Sequence, residues 1–271
     1  MQTDRLKPGF LLFPGPDGGW CLHGPGERFI RLREEPERIA RLARHLSPAA
    51  ANGVPAEPVT DDLRELLAAF RSYGLLDESG EEPDAMKSSH RVRVTGEGPV
   101  SAQVRELLAV AAPGVIAETG ASDPDLLIAC AGWLPDEAWC RLDEECLKRG
   151  IAWHRFYHEG MAIHLGPLSI PGTTASYADA RARRLAAAPF PDELEALWKY
   201  LDGDSPPPPP ALSEAAAAVI AGLLAEDVLA FLAGRTVPSL GHAVEVDLVS
   251  LACRRHPVLP VPRGALTEGA A

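Results

Sequence analysis

The sequence predicts an α/β protein with a small α+β module at its N-terminus, and three observations carry that reading. Residues 5–78 hold three short β-like runs followed by two helical patterns. From residue 90 onward, strand-like and helix-like segments alternate, the order expected of a parallel or mixed sheet with crossover helices. Between them, DESGEEPDAMKSSH at 77–90 is polar and has no apolar period, which reads as a linker. The predicted boundaries are a module at 1–80, a linker at 81–89 and a domain at 90–271.

In the first module the runs GFLLF, GWCLH and RFIRL are separated by PGPDG and GPGE, both turn signals. EEPERIARLARHL places Ile39, Leu42 and Leu46 at helical spacing, and TDDLRELLAAFRSYGLL places Leu63, Leu66, Leu67 and Phe70 on one face. Thr60 or Asp61 is the expected N-cap of the second helix and Gly74 its stop. Three strands followed by helices within so short a stretch suggest a winged-helix-like module.

In the second domain RVRVTG is strand-like and 100–112 helical, while GVIAET and DLLIAC are strand-like. PDEAWCRLDEECLKRG is helical, with Leu142, Cys146 and Leu147 on its apolar side, and IAWHRFYHEGMAIHLGPLSI supplies one or two strands. A helix follows at 191–202, then SPPPPP, whose prolines end at 210. The segment 205–210 reads as a stiff polyproline spacer. A long Ala/Leu-rich helix at 213–233 stops at Gly234, and HAVEVDLVSL alternates as a half-buried strand does.

Composition narrows the function. Hydrophobic residues make up 46 % of the 271 and charged residues 24 %, enough for packed cores. The net charge of −12 disfavours nucleic acid as the main partner, because phosphate binding needs clustered cations. No apolar run is read as approaching the roughly 18 residues that cross a bilayer, and MQTDRLKPGF lacks the layout of a signal peptide. A soluble, cytoplasmic protein with no membrane partner is the expectation. The five cysteines form no CxxC pair, so they read as reduced, small core residues and not as a four-thiolate zinc site.

The run RVRVTGEGPVSAQVRELLAVA raises the question of nucleotide chemistry. Gly96 and Gly98 stand where backbone would approach phosphate, Ser101 stands where a third small residue would be, and Glu118 lies near the usual place of a ribose-binding acid. Three features oppose this. Arg91 and Arg93 alternate with Val92 and Val94 in a strand that should be apolar on both faces. Pro99 removes an N–H near the helix start. The turn carries no Lys or Arg, and DLLIACAGW ends without a carboxylate for Mg²⁺. A plain strand-to-helix turn is the preferred reading, and an active ATP-dependent adenylating enzyme is the alternative.

The segment DLLIACAGWLPDEAWCRLDEECLKRGIAWHRFYHEGMAIHLGPLSIPGTTASYADARARR resembles the ubiquitin-activating-enzyme-like (ThiF-like) fold over residues 90–185. Active members of that family end the earlier strand with an Asp-Ala-x-Asp type motif for ATP and Mg²⁺, where this chain has Ala129 and Gly132. They follow the Gly-Pro…Pro-Gly segment with a CxxC half-site for zinc, where this chain has Ser176 and Asp179. The chain is most similar to the ThiF-like cyclodehydratase partner proteins of azole/azoline-modified ribosomal peptide biosynthesis, which carry an N-terminal PqqD-like recognition element. RRHPVLPVPRG resembles their closing segment without its usual cysteines. The likeness covers most of the chain, with its motifs in 120–187 and 240–264; over 5–78 it rests on the order of elements.

The resemblance implies a non-catalytic adaptor with no cofactor and no metal. Its partners would be the leader region of a precursor peptide and a YcaO-type cyclodehydratase, and because relatives often dimerise it also allows a homodimer. The leader is expected to add as a strand beside the third strand, in a groove bounded by the last helix of the first module. The residues at those places are Arg28, Phe29, Ile30, Arg31, Leu32 and Arg33 on the strand. On the helix, Leu63, Leu67 and Phe70 would form the wall, with Arg64 and Arg71 at the rim. Backbone pairing would supply affinity and side pockets specificity. Taken singly, the two leucines and Phe70 also read as core. Residues 28–46 hold six arginines against three glutamates, a local surplus that blunts an exposed edge against self-pairing and suits an acidic leader.

His154, His158 and His164 fall on even positions but lie too far apart along a strand to share one ion, so they read as solvated or hydrogen-bonded. Ser176 has no nucleophile-elbow context. The five tryptophans, Trp20, Trp133, Trp139, Trp153 and Trp198, read as core or interface anchors.

Overall fold

The computed structural model describes residues 4–46, 59–77, 90–117, 123–203, 205–250 and 252–262; the linker assigned to 81–89 and Glu118 lie outside the described residues. The chain forms two compact units, 1–82 and 83–271.

In the first unit, β1 (Leu11–Pro14), β2 (Trp20–Gly24) and β3 (Arg28–Leu32) form an antiparallel sheet in the order β1-β2-β3. The β2–β3 turn holds both Gly26 and the non-glycine Glu27 at positive φ. Period-two alternation aligns Leu12, Leu22 and Ile30 in one cross-strand row and sets Trp20 beside Leu32. Leu12, Trp20 and Leu32 pack on a core built from α1 (Pro36–Leu46) and α2 (Asp61–Ser72), whose buried residues are Ile39, Leu42, Leu46, Leu63, Leu66, Leu67 and Phe70. Thr60 caps α2 by accepting from the Leu63 N–H at 3.4 Å. Gly74, at φ +66°, ends it, as the sequence predicts.

The second unit is a six-stranded mixed sheet in the order β4-β5-β6-β7-β8-β9. Its strands are β4 (Val92–Thr95), β5 (Leu126–Trp133), β6 (Ala152–Glu159), β7 (Ala162–Leu165), β8 (His242–Asp247) and β9 (Cys253–Pro257). The first three are parallel and the remainder antiparallel. Crossover helices α3 (Pro99–Ala111) and α7 (Glu214–Leu232) cover one face, burying Val92, Leu126, Ile128, Phe156 and Val244. On the other face α4 (Asp136–Arg149), α5 (Tyr177–Ala187) and α6 (Pro191–Leu201) accompany a cluster of Leu127, Ala129, Trp139, Trp153, Tyr177 and Trp198.

Several expectations are corrected. Of the strand expected from GVIAET, the described residues 114–117 form a single bridge, between Ile116 and Val92. On α4 the buried face is Asp136, Trp139, Asp143 and Cys146, while Leu147 is 47 % exposed. The helix α5 and the strand β9 have no counterpart in the sequence reading. Helix α7, 19 residues with a mean hydropathy of 2.0, is long and apolar enough to cross a membrane, and half of it is buried within the unit.

Two buried polar clusters tie this unit together. Asp143 accepts from Trp153 Nε1 at 3.0 Å, from the Tyr177 N–H at 3.0 Å and from the Ala178 N–H at 3.2 Å. One carboxylate thereby joins α4, β6 and the start of α5. Next to it the Arg155 guanidinium, 1 % exposed, lies over the rings of Trp153 and Tyr177 at 4.9 and 5.1 Å and donates to Ser169 Oγ at 3.2 Å. On the opposite face Asp227 of α7 contacts His154 Nε2 at 2.9 Å and accepts from both the hydroxyl and the N–H of Ser239. His154 Nδ1 accepts from the Arg155 N–H, which leaves Nε2 to donate to Asp227.

Asp143→Ala strands two buried donors and one part-buried one, so we expect a loss of about 3 kcal/mol in unfolding free energy, read from the urea midpoint, with Asp143→Asn losing less. Burial pushes the Asp227 carboxyl up, but hydrogen bonds from His154 and Ser239 outweigh it and hold it below the ordinary carboxylate range. A lowered folded pKa stabilises above the unfolded value and loses that contribution as pH falls through the folded one. Asp227→Asn is therefore expected to flatten the acid limb of a stability–pH curve relative to the natural chain.

Candidate functional site

The first unit offers an open strand. β3 lies at one end of its sheet, and among the described residues no strand pairs with its outer edge. Arg28, Phe29, Ile30 and Arg31 are exposed, Leu32 is half-buried against the core, and Arg33 follows the strand as an exposed residue. Phe29 is 66 % and Ile30 49 % exposed, one on each face of the strand, so large apolar side chains stand open to solvent on both sides of the edge.

The charges around it are unevenly spent. Arg31 pairs with Asp17 at 2.7 Å, Arg38 with Glu34 and Glu65, and Arg41 with Asp62. Among the described residues Arg28 and Arg33 have no carboxylate partner, so one uncommitted cation stands at each end of the strand. On α2, Arg64 pairs with Asp61 and Arg71 with Asp4, both exposed.

Leu63, Leu67 and Phe70, assigned to a groove wall, are 4, 2 and 6 % exposed and belong to the unit's own core. The physical reason is that α2 has a single apolar face, and the sheet and α1 already cover it. The strand residues and the helix arginines thus lie at the surface, and the wall residues do not.

Sequence reasoning missed a second group. The alternation that points Leu12 and Leu22 inward points Leu11, Phe13 and His23 outward, beside Phe29: Leu11 aligns with His23 and His23 with Phe29. The Phe29 ring lies 4.9 Å from that of His23 and 6.2 Å from that of Phe13. These residues form a largely aromatic row next to the free edge, with Leu11 and Phe29 exposed and Phe13 and His23 half-buried. The signal was present, because positions 11 and 13 alternate with 12.

An α/β sheet binds its ligands in the crevice at its strand ends, and in the second unit Gly96, Gly98, Ala129 and Gly132 stand there. A Cβ on Gly96 would lie 1.8 Å from the Cys130 carbonyl oxygen, so that glycine serves packing between β4 and β5. Its carbonyl, with that of Val94, accepts from Arg105. Gly98 caps α3 at φ +106° and Pro99 opens the helix without an N–H. Ala129 and Gly132 offer no carboxylate. The residues present do not fit a nucleotide with Mg²⁺.

Ser176 and Asp179 form a capping box at the start of α5: Ser176 Oγ accepts from the Asp179 N–H at 3.0 Å, and Asp179 Oδ2 accepts from the Ser176 N–H at 2.9 Å. The other oxygen, Asp179 Oδ1, accepts from the Val261 N–H at 3.0 Å, and Arg183 donates to the carbonyls of Leu259 and Pro260. A hydroxyl and a carboxylate so engaged are not the thiolate set of a structural zinc. The closing segment is held by hydrogen bonds.

The histidines divide by face. His154 and His158 are buried on the α3/α7 side of β6, whereas His164 of β7 pairs across from Tyr157 and stacks on its ring at 5.0 Å, on the other side. We expect Asp179→Ala to lose about 2 kcal/mol through the cap and the Val261 tie, and added zinc or a chelator to leave the melting temperature of the natural chain unchanged.

No known family model matches the sequence, and no curated protein does. The fold has solved relatives. E. coli MccB with MccA-N7isoASN superposes with a TM-score of 0.65 at 12 % identity, over 96 % of this chain and 98 % of that one. E. coli MccB with ATP gives 0.64 at 14 % identity over the same shares. The heterocyclase TruD gives 0.67 at 16 % identity, covering 96 % of this chain and 42 % of its own. This chain therefore shares the mixed α/β fold of MccB, in full length, and of a portion of TruD.

Proposed function

We propose that this protein is a non-catalytic adaptor: it captures the leader of a ribosomally made precursor peptide by strand addition at β3 and presents it to a YcaO-type cyclodehydratase for azoline or azole formation. On this reading the first unit is a PqqD-type winged-helix recognition element and the second a degenerate ThiF-like domain. The observation that carries it is the open edge of β3, which combines exposed Phe29 and Ile30 with the uncommitted cations Arg28 and Arg33. Backbone groups along the edge would supply the ladder, the row of Leu11, Phe13, His23 and Phe29 a contact for apolar side chains, and the two arginines steering for acidic ones.

Two findings support the wider assignment. Relatives in fold have been solved with MccA-N7isoASN and as a heterocyclase, which fits a role in peptide modification. At the end of β5, Ala129 and Gly132 supply no carboxylate for Mg²⁺ and Pro209 lies on Gly132, which favours an adaptor over an adenylating enzyme. The reading needs no cofactor.

The test is fluorescence polarisation of labelled leader peptides encoded beside this gene, titrated with the full chain. One leader is expected to bind saturably. Arg28→Glu with Arg33→Glu should weaken it about tenfold, equal to about 1.4 kcal/mol, and the loss should shrink at high salt. Phe29→Ala should weaken it in a salt-independent way. Affinity unchanged by all three substitutions would place the peptide elsewhere.

A further inference from the structure

The polyproline run does not behave as a free spacer. It leaves α6 after buried Leu201, and Asp202 is fixed there by accepting from the Glu137 N–H at 2.8 Å. It ends at Leu212, which packs on the core, and at Ser213, which caps α7. Between these anchors it lies along the C-terminal end of β5. Trp133 Nε1 donates to the Pro207 carbonyl at 2.7 Å. A Cβ on Gly132 would lie 2.6 Å from Pro209 Cγ, so the absence of a side chain there is what lets the pyrrolidine ring seat.

This is the chemistry by which proteins read polyproline. Proline carbonyls have no N–H of their own to satisfy, a tryptophan indole supplies the donor, and flat or bare surfaces accept the rings. A further polar group sits beside the contact. His158, paired with Trp133 across the sheet and edge-on to its ring at 6.5 Å, is buried, and its Nδ1 has no partner among the described residues. Pro206, Pro207, Pro208 and Pro209 remain exposed on their outer side, so the run is a single layer over the strand end.

We infer that Gly132, Trp133 and His158 form a second peptide site, which takes an extended proline-rich segment and is filled in the free protein by the chain's own residues 205–210. A proline-rich segment of a partner protein would use the same donor after displacing the internal one. The tether gives the internal segment an effective concentration in the millimolar range, so a short free peptide alone does not compete. A partner must bring its segment with other contacts. The site lies wholly in the second unit and does not depend on the leader-binding reading.

The experiment follows the Trp133 indole N–H by NMR in the full chain, assigned through Trp133→Phe, with acetyl-hexaproline-amide as the probe. In the natural chain the resonance should exchange with solvent at least about tenfold more slowly than a free indole and stay in place up to about 5 mM peptide. In a chain carrying Pro206→Gly, Pro207→Ser, Pro208→Gly, Pro209→Ser and Pro210→Gly, it should become exposed and then shift saturably with the peptide. The other four indole resonances report that the fold is kept. Gly132→Ala should expose the indole as well, without restoring peptide binding, because the added methyl occupies the seat of the proline ring. A freely exchanging indole in the natural chain would overturn the inference, as would a resonance in the glycine–serine chain that the peptide does not move.

Discussion

The second unit depends on the single carboxylate of Asp143. Three donors from two other elements converge on it, and those of Trp153 and Tyr177 would otherwise be buried without a partner. Its charge also faces the buried Arg155, whose guanidinium burial pushes below its ordinary pKa and nearby anionic and aromatic groups push back up. Around the pair, Trp139 meets Trp153, Tyr157 and Tyr177 edge to face, and the Tyr177 hydroxyl donates to Asp136 at 2.5 Å. An ionic core of this kind adds little net stability over an apolar one, but it admits few alternatives. It fixes where α5 begins. The start of α5 then fixes Ser176 and Asp179, and through Asp179 the closing segment at Val261.

A common theme links the crevice and the closing segment. At both places glycine, arginine and aspartate residues are used to hold the chain to itself. Gly96 packs on Cys130, Arg105 covers two carbonyls, and prolines lie on Gly132. What stays open is elsewhere, on a strand whose large apolar side chains face solvent.

Much of this was legible in the sequence. The three strands, α1 and α2 follow from strong periodicity and from caps such as Thr60 and Gly74, and α7 from a long Ala/Leu-rich run that stops at Gly234. The exposure of β3 could be read from arginines interleaved with Phe29 and Ile30. Three things were not legible, for physical reasons. Asp143 is buried by what it binds, which no hydrophobicity pattern records, so the sequence assigns the inward face of α4 to Leu142, Cys146 and Leu147, of which Leu147 is exposed, and leaves out Asp136, Trp139 and Asp143. Helix α5 buries only Tyr177 along its length, leaving almost no periodic signal. The contact of Pro207 with Trp133 joins residues 74 positions apart, and composition alone made that run a spacer. Likewise, the apolar face of α2 shows that Leu63, Leu67 and Phe70 act together, yet it does not reveal what covers them.

Helix α7 has a consequence for how the chain is made. Its alanines, leucines and valines emerge during synthesis as a stretch that a protein-insertion machinery scores by apolarity alone. Asp227 lies within that stretch, four residues from its midpoint. An aspartate near the centre of a spanning helix raises the insertion free energy by about 2.5–3.5 kcal/mol. The side chain that anchors α7 to His154 and Ser239 in the folded chain thus also raises the cost of placing the same stretch in a bilayer.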